Sequence, residues 1–374
     1  MELINSKEGV RAVAEALSEA SLFAVDTEAA GYHRFHDRIC LLQISTRHET
    51  FLVDTLAVDE LSDLDPTFAS EAHEVVLHDA DYDLRLLARD FEIRVGGLFD
   101  TKLAAQLLGE PAIGLGALVE KYLGLRLDKK HQRADWAQRP LPPDMLAYAA
   151  EDTRHLPELR DRLKAELESA GRLHWAEEEF SLREEARWDP DAVDDEAFLR
   201  IKNTRDLAPR QLAALRELHA WREEVARRRD VATFRVVGNE VLIAVARGLP
   251  TDVRQLGQLE RVPGSIAERF GADMSAAVAR AQDLPESALP QRTRGPRRPP
   301  PDPEFEALVD RLKQARDAGA DQLKLERGFL MPKQQIEEMA RLRPGTTEEM
   351  LKVPDMRHWQ VEALGERLLR ALVS

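Results

Sequence analysis

Cysteine is almost missing from this chain of 374 residues: Cys40 stands alone. One thiol builds neither an internal disulfide framework nor a Cys-rich zinc site. Long apolar runs are missing as well, and none approaches the ~18 residues of a membrane span. The opening MELINSKEGVRAV has neither the basic region nor the apolar core of a secretion signal. Positive charge is in deficit. With 53 Lys+Arg against 68 Asp+Glu, the formal net charge is -15 and the pI about 5.3. That excludes a simple basic protein that coats nucleic acid through its phosphates. What remains is a soluble, cytoplasmic, membrane-free protein, expected to act as a monomer. Its length corresponds to two or three domains at roughly 150 residues each.

The charge is uneven. Residues 1–204 hold 24 basic and 42 acidic residues, a balance of -18, whereas 205–282 hold 13 and 10, a balance of +3. A change of sign along one chain indicates modules with different tasks. Apolar spacing at Val10, Val13, Ala14 and Leu17 predicts a helix. Three short apolar runs follow, Leu22–Val25, Ile39–Ile44 and Phe51–Val53, and read as a strand meander. Val75–Leu77 is a fourth strand, and a helix is predicted from Asp81 to Phe91. After Phe99-Asp100, Thr101 is placed to cap the next helix. The pattern gives a mixed α/β sheet covered by helices over 1–172. An acidic helical connector spans 173–204 and a helical domain 205–283. A Pro/Arg-rich linker, 284–303, contains three consecutive prolines that favour an extended spacer. A second, more divergent helical domain covers 304–374. The turns Val262-Pro263-Gly264 and Val353-Pro354-Asp355 mark the same place in what read as two copies of one helical unit.

Three elements carry chemistry. Asp26 and Glu28 lie two apart at the end of a strand, so their carboxylates share a face. Like charges that close repel, and a divalent cation relieves the repulsion; a solvated turn is the alternative. Asp79, Asp81 and Asp83 resemble the start of a calcium loop, but Leu84 and Asp90 stand where such a loop needs Gly and Glu. Asp83 instead opens an amphipathic helix, where the dipole favours an acid. Tyr148 and Asp152, at i and i+4, share a helical face. They suit either the orientation of a metal-held water or a packed aromatic beside a surface acid.

Taken together, D-x-E on an early strand, an aspartate on a following helix and Y-x3-D on a late helix resemble the DEDD superfamily of 3'-5' exonucleases. The tyrosine points to its DEDDy subgroup, and within it the chain is similar to the ribonuclease D family. Supporting residues are Leu41-Leu42-Gln43-Ile44, His78-Asp79-Ala80, Asp83-Leu84, Phe99-Asp100-Thr101, Leu127-Asp128-Lys129, Asp135-Trp136 and Arg139-Pro140-Leu141. The two helical units resemble HRDC domains. The resemblance implies a ribonuclease H-like sheet followed by two all-α bundles. It also implies a 3'-5' exoribonuclease with two divalent ions, Mg2+ or Mn2+, about 4 Å apart. On it, Asp26 bridges the ions, Glu28 and Asp152 complete one, Asp83 holds the other, and Tyr148 orients the attacking water. Thr27, Ala29, His78 and Lys129 become candidate nucleic-acid contacts. Ala29-Ala30-Gly31 departs from the bulkier wedge usual after D-x-E.

Arg227, Arg228, Arg229 and Arg235, in the net-positive module, are candidates for a phosphate track; arginines at a helix C-terminus are the other reading. The expected partner is RNA at its 3' ends, with tRNA precursors as the family's substrate. A DNA exonuclease, or a nucleic-acid scaffold with an idle site, remains open, because no motif senses a 2'-hydroxyl.

Overall fold

The computed structural model describes residues 3–188, 196–291 and 302–373. They form two compact units, one of residues 3–28, 39–188 and 302–373, the other of 29–38 and 196–291.

The first unit is built on a six-stranded sheet of order β1-β4-β3-β2-β5-β6. Its strands are β1 (Leu3–Ile4), β2 (Leu22–Ala29), β3 (Ile39–Ser45), β4 (Thr50–Val53), β5 (Glu74–Leu77) and β6 (Leu98–Asp100). The meander is present as the neighbours β2, β3 and β4, with β3 and β4 antiparallel through Leu42↔Val53 and Ile44↔Phe51. β2, β5 and β6 are parallel, as is β1 to β4. Strand β1, only two residues long, has no readable alternation in the sequence. All seven residues of β3 are buried, Cys40 among them, because helices pack on the sheet around it. A strand covered on both faces reads as a continuous apolar run, as this one does.

Eight helices accompany the sheet: α1 (Lys7–Ser18), α2 (Asp65–Phe68), α3 (Asp81–Phe91), α4 (Thr101–Leu108), α5 (Leu115–Leu123), α6 (Pro143–Arg154), α7 (Leu156–Ser169) and α8 (Leu173–Glu184). Helix α3 has the bounds its periodicity predicts. The expected cap of α4 moves by one residue. Asp100, not Thr101, is the N-cap, and its carboxylate accepts from the amides of Lys102 and Leu103. Thr101 is instead the first helical residue, and its hydroxyl donates to the Leu77 carbonyl at 3.1 Å. Asp100 holds a second pair of amides, those of Asp79 (3.1 Å) and Ala80 (2.9 Å), which precede α3. Helix α8, at the start of the stretch read as a connector, buries Trp175, Ala176 and Phe180, with Phe180 against Phe99 of β6.

The second unit holds α9 (Pro209–Arg229), α10 (Thr233–Val236), α11 (Asn239–Gly248), α12 (Val253–Gly257) and α13 (Gly264–Gln282). The first unit closes with α14 (Pro303–Leu323), α15 (Arg327–Leu330), α16 (Lys333–Leu342), α17 (Thr347–Met350) and α18 (His358–Val373). The two series are copies. Their leading helices have 21 residues each, the next four each, the third ten each. Left-handed residues end the first and third helices in both: Asp230 and Leu249, then Lys324 and Arg343. Arg222 and Arg316 occupy the same place in their helices, and each donates to the carbonyl of the residue that ends the following short helix, Val237 or Met331. The two Val-Pro turns fall before the last helix of each copy. Trp221, Trp359 and Phe329 pack inward, Trp359 stacking on Trp175 at 5.3 Å. The second copy is seated on the sheet unit. Arg172 donates to the Leu107 carbonyl at 2.7 Å and to the Leu323 carbonyl at 2.9 Å. Gly109, at φ +77°, lets the Lys324 carbonyl approach where any side chain would collide. Residues 292–301, the centre of the Pro/Arg-rich linker, lie outside the described residues.

Candidate active site

The end of β2 brings Asp26 and Glu28 to one face, and α6 supplies Asp152. Oxygen atoms from these three carboxylates lie within 4.8 Å of one another. No Lys or Arg pairs with any of them among the described residues. Burial, reinforced by Asp83, Glu28 and Asp152 in that order, pushes the Asp26 carboxyl well above the ordinary carboxylate range. Burial and then repulsion from Asp152 and Asp83 carry Glu28 up to about 9. Burial and the neighbouring Glu151 carry Asp152 up to about 7. Three acids that resist ionisation where no side-chain cation answers them are a donor set for a hard divalent ion. The solvated-turn alternative for Asp26 and Glu28 does not describe this geometry.

Asp83 is held differently. It sits in the first turn of α3, is 8% exposed, and accepts a hydrogen bond from the Thr27 hydroxyl. Burial raises it to about 6 against the lowering effect of that bond. It is outside the three-acid cluster, yet it is the largest carboxylate influence on Asp26. Thr27, a candidate RNA contact in the sequence, thus has an internal partner. Asp79 pairs with Lys102, and Asp81 with Arg85 and Arg183, so the aspartates around Asp83 do not form a calcium loop.

Tyr148 lies one turn before Asp152 on α6, and the influence of its hydroxyl lowers that acid's pKa against the effect of burial. Burial, then repulsion from Asp152, Glu28 and Asp26, pushes the tyrosine's own pKa up, so it keeps its proton. The ring is fixed by His131 edge-on at 5.6 Å and by Trp136 at 6.1 Å. Behind α6, the hydroxyls of Thr153 and Ser45 are 2.7 Å apart and join the helix to β3.

Arg139 is the residue whose role the sequence left unread. It clasps Asp54 with two bonds of 2.7 and 2.6 Å and donates to the carbonyls of Cys40 and Trp136. The loop carrying Trp136 is thereby fastened to the sheet, and Trp136 in turn packs on Tyr148. A bidentate guanidinium–carboxylate pair is specific in direction as well as strong. The arginine was visible in Arg139-Pro140-Leu141, but its partner lies 85 residues away.

The remaining candidates scatter. Because the Thr101 hydroxyl donates to Leu77, it accepts from the Nδ1–H of His78 at 2.9 Å. Burial lowers the His78 pKa despite Asp100 and Asp79, which favours the neutral ring. Lys129 is exposed on the loop before α6 and Ala29 ends β2. In the second unit, Arg227 pairs with Glu224 and lies over the Phe35 ring, and Arg229 lies over Phe270. Arg235 donates to His33 Nδ1 at 2.8 Å and to the Tyr32 carbonyl at 3.3 Å.

Comparison with known proteins agrees with this architecture. The 3'-5' exonuclease family pattern matches residues 1–168, and the HRDC domain pattern matches 211–278 and 305–372. Ribonuclease D of Gluconacetobacter diazotrophicus is 33% identical over 311 residues, covering 82% of this chain and 78% of that one. Ribonuclease D of Escherichia coli is 33% identical over 291 residues, covering 78% and 77%. The crystal structure of Escherichia coli RNase D, described as an exoribonuclease involved in structured RNA processing, superposes with a TM-score of 0.72 at 28% identity, covering 100% of this chain and 98% of that one. No described helix is long and apolar enough to cross a membrane. With the acid cluster on a mixed sheet, a duplicated helical bundle in the same chain and this degree of identity over most of both chains, the chain belongs to the ribonuclease D family and is a 3'-5' exoribonuclease.

Proposed function

We propose that the chain removes nucleoside 5'-monophosphates from RNA 3' ends with Asp26, Glu28, Asp83, Asp152 and Tyr148, and that precursor tRNA is its cytoplasmic substrate. The observation that carries the assignment is the convergence of Asp26, Glu28 and Asp152, all raised in pKa and unanswered by a side-chain cation. Their chemistry fits two divalent ions, Mg2+ or Mn2+. Asp26, Glu28 and Asp152 would hold one, and Asp83, kept in place by Thr27, would share the other with Asp26. When bound, such ions lower the pKa of water and neutralise charge at the scissile phosphate. The chain's own part is orientation. Tyr148 keeps its proton, is packed between His131 and Trp136, and carries its hydroxyl one helical turn from Asp152, where it can align a water for in-line attack. Residues 1–172 would then be the exonuclease domain, with 205–283 and 304–374 as helical modules on either side of the 284–303 linker and the whole acting as a monomer.

The test is direct. Matched RNA and DNA oligomers, labelled at the 3' or the 5' end, are incubated with Mg2+, Mn2+ or EDTA. Stepwise shortening of RNA from the 3' end, abolished by EDTA, is expected. Degradation of DNA alone, or binding without cleavage, would overturn the proposal.

A further inference from the structure

Segment 29–38 leaves the sheet at the end of β2 and returns at β3, but it folds with the second unit. It is stitched to residues 230–235 at four points. The Ala232 amide donates to the His33 carbonyl at 3.1 Å and the His36 amide to Asp230 Oδ1 at 3.2 Å; Arg235 makes the two bonds to Tyr32 and His33 given above. This places the Tyr32 and Phe234 rings 5.5 Å apart, with 46% and 52% of each residue exposed. The Arg235 guanidinium lies over both, 5.6 Å from one ring centre and 5.7 Å from the other. Among the described residues no carboxylate neutralises Arg235.

Single exposed apolar residues are ordinary on protein surfaces. Two aromatic rings in contact, left half open and roofed by an unneutralised arginine, are a different arrangement. The unit's core does not need them: Val236 is the buried residue of α10, and the interior is filled by residues such as Leu218, Leu242 and Phe270. The backbone bonds at His33 and His36 pin the segment without help from either ring. Aromatic faces stack on unpaired bases regardless of sequence, and an arginine beside them adds a cation for the phosphates. Chain length supplies the location. Tyr32 is four residues past Glu28, so its backbone lies within about 14 Å of that carboxylate-bearing residue however the units are arranged.

We propose that Tyr32, Phe234 and Arg235 form a stacking platform for unpaired RNA bases a few nucleotides upstream of the bond being cut. Arg235 is a positioning residue as well, since it fixes the backbone that carries Tyr32. The small Ala29-Ala30-Gly31 segment offers little to grip the terminal base; the platform grips the strand behind it. A duplex reaching this point cannot use the platform, because its bases are already stacked, so the site favours substrates with an unpaired 3' tail.

This inference rests on the exoribonuclease activity, and the experiment separates the two. The full-length protein is titrated in EDTA with a ten-nucleotide oligoadenylate carrying 2-aminopurine at the third to sixth positions from the 3' end. The wild-type chain should change the probe's fluorescence on binding. Phe234→Leu, which keeps apolar bulk but loses the aromatic face, should weaken binding about tenfold and abolish the fluorescence change. Phe234→Trp should retain both. With divalent ions, kcat/KM of Phe234→Leu should fall about tenfold more on the decamer than on a dinucleotide, which is too short to reach the platform. A wild-type chain that leaves RNA intact would refute the activity. An active wild type with a Phe234→Leu variant that binds and cuts the decamer as well as wild type would refute the platform alone. Should Phe234→Leu lower the melting temperature, Tyr32→Leu against Tyr32→Phe poses the same question from the other ring, and equal binding by both would refute it.

Discussion

At the scale of single residues, the site is defined by groups held away from their preferred ionisation states. Tyr148 keeps its proton beside the raised carboxyls, with its ring set by His131 and Trp136. Tyr148→Phe removes the hydroxyl and leaves that packing intact. Turnover should fall about a hundredfold, while the divalent-ion concentration for half-maximal activity stays within about twofold. A collapse of metal dependence instead would make the tyrosine a ligand-shaping residue. Glu28 allows a second prediction with a definite sign. Its folded pKa of about 9 exceeds its ordinary 4.5, and Asp152 (about 7) and Asp83 (about 6) are raised in the same direction. Between these limits the folded, metal-free chain binds more protons than the unfolded chain, so its stability falls as pH rises. The contribution is complete below about pH 4 and is lost as pH passes 6 to 9. Melting temperatures in EDTA should therefore decline across pH 5 to 9, and Glu28→Gln should flatten the decline. Added Mg2+ or Mn2+ should raise them most at the alkaline end, with release of protons. A pH-independent melting curve in EDTA would contradict the burial and mutual repulsion of these acids.

Between elements, the decisive contacts join segments far apart in sequence. Arg139 on the loop before α6 holds Asp54 after β4, and Asp54 is 7% exposed at its side chain. Removing the arginine leaves that carboxylate buried without a partner, which costs about 3 kcal/mol. Arg139→Ala should lower the urea midpoint and also reduce turnover through loosened Trp136 and Tyr148. In the double variant with Asp54→Ala much of the stability should return, because neither charge is then stranded. If the single and double variants are equally unstable, the pair is not the fastening. Contacts of this kind mark the boundary of what the sequence shows. Helix α3, the shared face of Asp26 and Glu28, and the one-turn spacing of Tyr148 and Asp152 all follow from local periodicity, and each is present. The cap at Asp100, which also ties down the amides before α3, depends on a turn formed 20 residues away. The bond from Thr27 to Asp83 spans 56 residues, and the capture of segment 29–38 by residues 230–235 spans about 200. No periodicity encodes such partners. The duplicated bundle was legible only at its Val-Pro turns, because matching helix lengths and the matched Arg222 and Arg316 survive divergence that side chains on the surface do not.

For the molecule as a whole, the charge distribution sets how RNA can be held. The balance of -18 over residues 1–204 repels a polyanion, and the +3 over 205–282 offsets little of it. Even that excess is partly committed: Arg227 pairs with Glu224, Arg247 with Asp206, Arg261 with Glu240 and Arg280 with Glu217. Arg205, Arg228, Arg229, Arg235, Arg254 and Arg269 have no ion pair among the described residues. Two of them, Arg229 and Arg269, lie over the Phe270 ring, and the acidic excess of residues 1–204 opposes the rest, so the proposed platform and divalent ions would supply most of the attraction. Each phosphate neutralised on a single strand contributes about -0.7 to the slope of log affinity against log salt. With two or three such contacts the slope should be no steeper than about -2. The measurement is anisotropy with a 3'-phosphorothioate RNA, which resists hydrolysis, at fixed Mg2+ and increasing KCl. A slope near -5 would reveal an extensive basic track and refute this account. A shallow slope together with strong loss of binding in Phe234→Leu would identify stacking, not charge, as what retains the strand between successive cuts.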